Sequence, residues 1–301
     1  DAAMFTRSTL KPLQAVPLVA AGGLERLGLD QRALALMCAS HNGEPEHVRV
    51  AAQILAAAGC RPEQLACGTH VPMFYLSNGN FPPPDEVPTP LQHNCSGKHA
   101  GMLALCRLRG LGPDGYTDAA HPIQAVIREA VAAFAGIEPA AMASGPDGCS
   151  VPNYAFPLTA LAGSYARLAA AGRDPVLGDI PGRLFAAMTE HPFLISGTGR
   201  QDAAISEAGR GDWVSKIGGE GLQVIGIRSR GLGIAIKIAD GDKGDYQPRA
   251  TFPAAIEALR QLGVLSGELP GPLARFDAAA QDHSEARFRV TLQPVFTLAA
   301  A

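Results

Sequence analysis

Ser8 and Lys11 stand three apart in the stretch TRSTLKPLQ, residues 6–14. At that spacing on a helix start the two side chains share a face and come within hydrogen-bond reach. A serine hydroxyl is a poor nucleophile until a base removes its proton, and a desolvated lysine can be that base. The same residues also suit a helix cap followed by a solvated lysine, and the stretch alone does not separate the two readings. Ser40-His41-Asn42-Gly43 follows the apolar run that begins at Leu34, where a buried segment emerges. It reads as a turn, or as a second hydroxyl brought to a cleft. Lys216-Ile217-Gly218-Gly219-Glu220-Gly221 sets an ammonium at a glycine-rich strand start, where backbone can approach a ligand closely. Lysine is scarce: five occur, at 11, 98, 216, 237 and 243, against twenty arginines. Arginine charges a surface equally well but stays protonated, so each lysine is a candidate base.

Taken in order, the three motifs run SxxK, SxN, KxG. Serine penicillin-binding enzymes and β-lactamases carry SxxK, SDN and KTG in that order, which raises a catalytic cleft above the capping reading. Three other stretches carry possible chemistry. His93-Asn94-Cys95-Ser96-Gly97-Lys98-His99 offers a thiol, an amine and imidazoles. A thiolate and an imidazole suit Zn²⁺, but lysine is an unusual ligand and a buried structural thiol is the plainer reading. The run from Gly145 to Pro152 is turn chemistry with one carboxylate, Asp147, placed to hold a substrate ammonium or to cap the turn. HPFLISGTGRQD, 191–202, is a glycine-rich loop with an arginine and an acid.

Positioning these residues requires alternating helices and strands. Residues 12–27 read as a helix whose start is marked by Pro12. Residues 44–59, 121–136, 156–172 and 251–263 read as further helices, two of them closed by Gly136 and Gly172. SGKHAGMLALCRLRG, 96–110, reads as a loop leading into a buried helix, and FPPPDEVPTP, 81–90, as a surface loop. LQVIGI, 222–227, and LGIAIKIAD, 232–240, form an antiparallel hairpin, and RFRVTLQPVF, 287–296, is strand-like. Antiparallel strands packed with helices, with no GxGxxG after a strand, predict an α/β (α+β) fold built on an antiparallel sheet, in one catalytic domain over 1–301. A chain of 301 residues, 47% hydrophobic, has ample core for that. A formal charge of −3 with no basic run leaves no footprint for nucleic acid. No stretch approaches the about 20 apolar residues of a membrane span. Six cysteines in apolar contexts are not the framework of a small secreted domain, so a reducing, cytoplasmic compartment is expected. The sequence starts at Asp1, without methionine and close to a catalytic motif, so residues before Asp1 are expected to be missing.

With these stretches assembled, the chain resembles the bacterial thermolabile L-asparaginases, the asparaginase II family typified by the Rhizobium enzymes. The resemblance runs through RSTLKPLQA, CASHNGEPEH, HNCSGKHAGM, PDGCSVPNYAFPL, HPFLISGTGRQD and KIGGEGLQVIGI, spread over most of the chain. It implies a serine β-lactamase/penicillin-binding-protein-like fold, in agreement with the motif order, and hydrolysis of L-asparagine to L-aspartate and ammonia. By position it implies two Ser–Lys pairs, Ser8 with Lys11 and Ser40 with Lys216. It also implies a substrate pocket lined by Arg7, His99 and Asp147, with Cys149 beside them, and a homodimer. In the implied reaction Ser8, freed of its proton by a neutral Lys11, attacks the side-chain amide, and Asp147 receives the α-ammonium. The resemblance implies no cofactor requirement for catalysis. The family's zinc ligands are a cysteine, a lysine and a second cysteine. Cys95 and Lys98 match the first two, and the third position falls at or beside Asp202, where a carboxylate alters affinity and selectivity for Zn²⁺. A penicillin-interactive enzyme of the same fold and an amino-acid sensor without turnover are the rival readings.

Overall fold

Pro12 stands in the first turn of a helix, where a missing amide hydrogen costs nothing. In the computed structural model, which describes residues 1–242, 250–274, 276 and 293–299, strand β1 (Ala3–Phe5) leads into a 3-10 turn, Arg7–Leu10. That turn runs directly into α1 (Lys11–Ala20). Gly22, at φ 63°, ends this run, and α2 (Gly23–Leu27) starts afresh, so the single helix expected over 12–27 is two. Helix α3 (Gln31–Met37) is capped by Asp30, whose carboxylate accepts from the Ala33 N–H. The apolar run therefore splits: its first part is helical, and Cys38-Ala39-Ser40 leave the helix as irregular chain.

Next come α4 (Pro45–Ala57), α5 (Met73–Ser77), α6 (Ser96–Leu108) and α7 (Pro122–Ala135), the last stopped by Gly136 at φ 66°. Strands β2 (Ala143–Pro146) and β3 (Pro152–Pro157) precede α8 (Leu158–Ala169). Phe156 and Pro157 thus belong to a strand, and α8 ends three residues before Gly172. Helices α9 (Ile180–Glu190), α10 (Pro192–Ser196) and α11 (Gln201–Ala208) lead to β4 (Trp213–Gly218), β5 (Leu222–Ile227) and β6 (Leu232–Lys237). Helices α12 (Thr251–Gln261) and α13 (Gly271–Ala274) follow. Of the strand expected over 287–296, residues 287–292 lie outside the described residues and 293–296 form no strand.

The strands make two antiparallel sheets, ordered β1-β3-β2 and β4-β5-β6, where one sheet was expected. Helices pack against both, giving a mixed α/β architecture. The larger core gathers α1, α3, α6 and α7 to α9, and a smaller one lies between the second sheet and α11 to α13. Two close approaches set the geometry of the centre. A Cβ on Gly97 of α6 would lie 2.2 Å from the Leu36 carbonyl oxygen of α3, so glycine lets these helices touch. A Cβ on Gly218 would lie 3.1 Å from the Thr6 carbonyl oxygen, so β4 can run against the turn that carries Ser8. Gly97→Ala is expected to cost roughly 1–3 kcal/mol through overpacking, read as a lower thermal midpoint by circular dichroism. An unchanged midpoint would mean that α3 and α6 part freely.

Candidate active site

Lys11 opens α1, Ser40 lies just beyond α3, and Lys216 sits within β4. The fold brings the three together. Lys11 Nζ and Lys216 Nζ each lie 2.9 Å from Ser40 Oγ. Their exposures are 1% for Lys11, 4% for Ser40 and 0% for Lys216. Lys11 also donates to the Ala39 carbonyl at 2.5 Å and the Asn94 carbonyl at 3.4 Å, so three oxygens meet its three donors. Lys216 donates to the Ile217 carbonyl at 2.8 Å and faces the Asp202 carboxylate at 3.6 Å. Burial pulls Lys216 down to about 7; Asp202 opposes the shift, while Lys11 and Arg200 add to it. An amine tuned to that range can take up or release a proton near neutral pH. Ser40 is held by its own backbone, the N–H donating to the Ile195 carbonyl at 2.9 Å.

Ser8 lies half-buried in the 3-10 turn, and among the described residues its hydroxyl has no hydrogen-bond partner. Its N–H likewise has no backbone acceptor among them. The hydrogen bond expected between Ser8 and Lys11 is therefore absent, because the carbonyls of Ala39 and Asn94 draw the Lys11 amine toward Ser40. Arg7, one residue earlier, adopts φ 49°, a costly conformation for a side-chain-bearing residue. Asn153 holds it there: its Oδ1 accepts from the Arg7 N–H and its Nδ2 donates to the Arg7 carbonyl, both at 3.0 Å. The Arg7 guanidinium reaches Asp147 at 3.3 Å and Glu220 at 3.8 Å. Burial raises the Asp147 carboxyl, but Lys98 and Arg7 more than offset it and hold it below the ordinary carboxylate range.

A sulfur cluster lies against Asp147. Lys98 Nζ is 2.9 Å from Cys149 Sγ and 3.8 Å from Asp147. A hydrogen bond with Cys149 draws the Cys95 thiol far down against burial, and the Lys11 and Lys98 charges add to it. The same hydrogen bond, with burial, pushes Cys149 up. Burial alone would lower Lys98, but the two thiols and Asp147 raise it above an ordinary lysine. His99 follows Lys98 on α6 and is fully buried. Its Nδ1 meets the Tyr116 hydroxyl at 2.6 Å, its Nε2 is buried without a hydrogen-bond partner, and burial pulls it down to about 4. Asp202 is not part of this group. It accepts from Ser215 Oγ at 2.8 Å, Gln223 Nε2 at 3.2 Å and the Ile217 N–H at 2.8 Å, because the first turn of α11 carries it to the free edge of β4. Beside Lys98 the structure sets Cys149, where the resemblance implied a ligand at or beside Asp202. No three His, Cys, Asp or Glu side chains gather as a metal site among the described residues. Two sulfurs and the Lys98 nitrogen make a donor set that fits zinc in kind.

The sequence model of the family described as L-asparaginase II matches residues 1–288. The chain belongs to the L-asparaginase II family. No curated protein matches it. The family's name carries asparaginase-type activity, and with it a small-molecule substrate. No helix among the described residues is long and apolar enough to cross a membrane. Of the residues singled out by motif or resemblance, the structure groups Lys11, Ser40 and Lys216 at one centre and Arg7, Asp147, Lys98, Cys95 and Cys149 at a second. Asn153, Gln223 and Glu220 escaped the sequence reading. All three lie inside stretches that were noticed, but none has a spacing that marks it. Asn153→Ala removes both hydrogen bonds to the Arg7 backbone and is expected to cost about 2–3 kcal/mol, read as a lower urea midpoint at constant slope. A midpoint within error of the parent protein would show that Arg7 holds its conformation unaided.

Proposed function

We propose that the protein is an L-asparagine amidohydrolase that works through a serine acyl-enzyme, on a serine-β-lactamase-like fold with two Ser–Lys pairs. The observation that carries this reading is the placement of two buried lysine amines, each 2.9 Å from the Ser40 hydroxyl, in the chain segment that follows Ser8 and on the strand beside it. Ser8 is the nucleophile: its hydroxyl is uncommitted and half-exposed, whereas Ser40 is enclosed by the amines. Lys216, neutral above about 7, takes the Ser40 proton. Ser40 takes one from Lys11, and Lys11 takes the Ser8 proton as Ser8 Oγ attacks the amide carbon. Lys11 and Ser40 end unchanged and one proton has moved to Lys216. Catalytic hydrogen bonds missing from a free enzyme often form only with substrate in place, which covers the Ser8-to-Lys11 step.

In this scheme the Ser8 N–H, which meets no backbone carbonyl among the described residues, donates to the oxyanion, a contribution of about 3 kcal/mol in related chemistry. The proton on Lys216 returns along the same path to the departing ammonia. Water then attacks the β-aspartyl ester with the relay as base, the acyl–Ser8 Oγ bond breaks, and the proton held by the relay returns to Ser8 Oγ. Zinc, where bound, would be held by Cys95, Cys149 and a deprotonated Lys98, and would supply positive charge beside Asp147.

Ser8→Ala and Lys11→Met are each expected to lower ammonia release from asparagine by roughly three orders of magnitude or more, with the circular dichroism spectrum unchanged. Substantial turnover in Ser8→Ala would move the nucleophile to Ser40. Hydrolysis of a chromogenic cephalosporin without asparagine turnover, or saturable asparagine binding without ammonia, would replace the proposal.

The relay also sets a pH dependence. Below about 7 Lys216 is protonated and cannot accept, so activity should rise through that region and level off above it. The fall on the acid side should approach about tenfold per pH unit. A flat profile across neutral pH would remove Lys216 from the relay.

A further inference from the structure

The charges around Ser8 are committed to partners, with one exception. Lys11, Lys98 and Lys216 are buried and paired. Asp202 is buried with three hydrogen bonds. Asp147 has Arg7 at 3.3 Å and Lys98 at 3.8 Å, and accepts from the Gly148 N–H at 3.0 Å. A substrate ammonium arriving at Asp147 would meet two cations already in place.

Glu220 differs. Its side chain is 59% exposed, and its carboxylate lies 3.8 Å from Arg7 Nε, too long for a hydrogen bond. Arg7 Nε is buried and has no hydrogen-bond partner. Cation and anion face each other across a gap that neither fills. Glu220 stands in the connection between β4 and β5 at φ 63°, and Lys237 donates to its carbonyl. A left-handed glutamate carries strain that the glycine beside it, Gly221 at φ 72°, does not. Strain of this kind is maintained by its surroundings and collects at ligand clamps.

We propose that Arg7 and Glu220 form a clamp for the α-amino-acid headgroup. The α-carboxylate of the substrate binds the Arg7 guanidinium, whose side chain is 26% exposed, and the α-ammonium binds the Glu220 carboxylate. Asp147, the expected ammonium site, instead holds the far side of the Arg7 guanidinium. The inference rests on the amidohydrolase reading and names the part of that site that recognises an amino acid. Because Arg7 adjoins Ser8, a headgroup held there presents its side-chain amide to the Ser8 hydroxyl across a single methylene.

The test compares ligands with and without the α-amine, in the full chain. Glu220→Gln is expected to raise KM for asparagine about tenfold with kcat nearly unchanged. It should leave kcat/KM unaltered for succinamic acid, the analogue without the amine. Titration calorimetry makes the same comparison without turnover: the parent protein binds L-aspartate about tenfold more tightly than succinate, and the variant binds them equally. Glu220→Asn, which tolerates the left-handed backbone, should behave alike and guards against a folding defect. Asp147→Asn should weaken both ligands together. Retention of the aspartate preference in the Glu220 variants overturns the clamp, as does its loss in Asp147→Asn alone. If the parent protein releases no ammonia yet discriminates aspartate from succinate, the hydrolytic reading falls and the clamp stands.

Discussion

Two lysine amines on one serine hydroxyl, inside a protein, is the constraint that the rest of this structure serves. Burying an ammonium is costly unless its donors are satisfied, and two side by side repel. The fold meets the first cost at Lys11 with the carbonyls of Ala39 and Asn94, freed from regular structure at the end of α3 and before α6. It meets the second at Lys216 by letting that amine approach neutrality, with the Ile217 carbonyl and the Asp202 carboxylate as its other neighbours. In the proposed mechanism this tuning lets Lys216 act as the acceptor. A proton relay requires such an acceptor.

Support for this centre extends outward in two directions. Asp202 ties α11 to the free edge of β4 through Ser215 and the Ile217 N–H and to β5 through Gln223, and Gln201 adds a bond to Gln223 at 2.7 Å. Gly218 then lets the end of β4 lie against the turn bearing Ser8. On the other side, His93-Asn94-Cys95 links the centres directly: the Asn94 carbonyl accepts from Lys11, and the next residue is the thiol of the sulfur cluster. Lys98, Asp147 and Arg7 continue as an alternating chain of charge back to the neighbour of Ser8. A buried polar network is strongest when every member is satisfied, and here the exception in that chain, Arg7 Nε, falls at its end beside Ser8.

Much of the candidate site's grouping was legible because unusual residues in unusual settings are visible in one dimension. Scarcity marked the lysines: Lys11, Lys98 and Lys216 are all buried at the site, Lys237 lies on β6 beside Glu220, and Lys243 is outside the described residues. The ordered Ser8, Ser40 and Lys216 motifs did meet in space, and most helices fell close to their expected ranges. What failed has physical causes. Gly22 broke a helix whose periodicity ran on through it. The strands β1 to β3 are short and partly proline-bounded, so alternation could not reveal them.

From sequence alone came the groups that could carry chemistry: a serine with a lysine three residues on, a second hydroxyl, a second lysine before glycines, and thiols near a third lysine. Residue type and local spacing carry that information, because a nucleophile and a base are defined by their functional groups. Which groups pair was decided only by the tertiary structure. Lys11 turns to Ser40 and not to Ser8, Cys149 and not Asp202 joins Cys95 and Lys98, and Glu220 arrives beside Arg7 from a strand connection far along the chain. Those pairings depend on where carbonyls are left unpaired and where glycine permits close approach. Neither is a property of any one stretch of the chain.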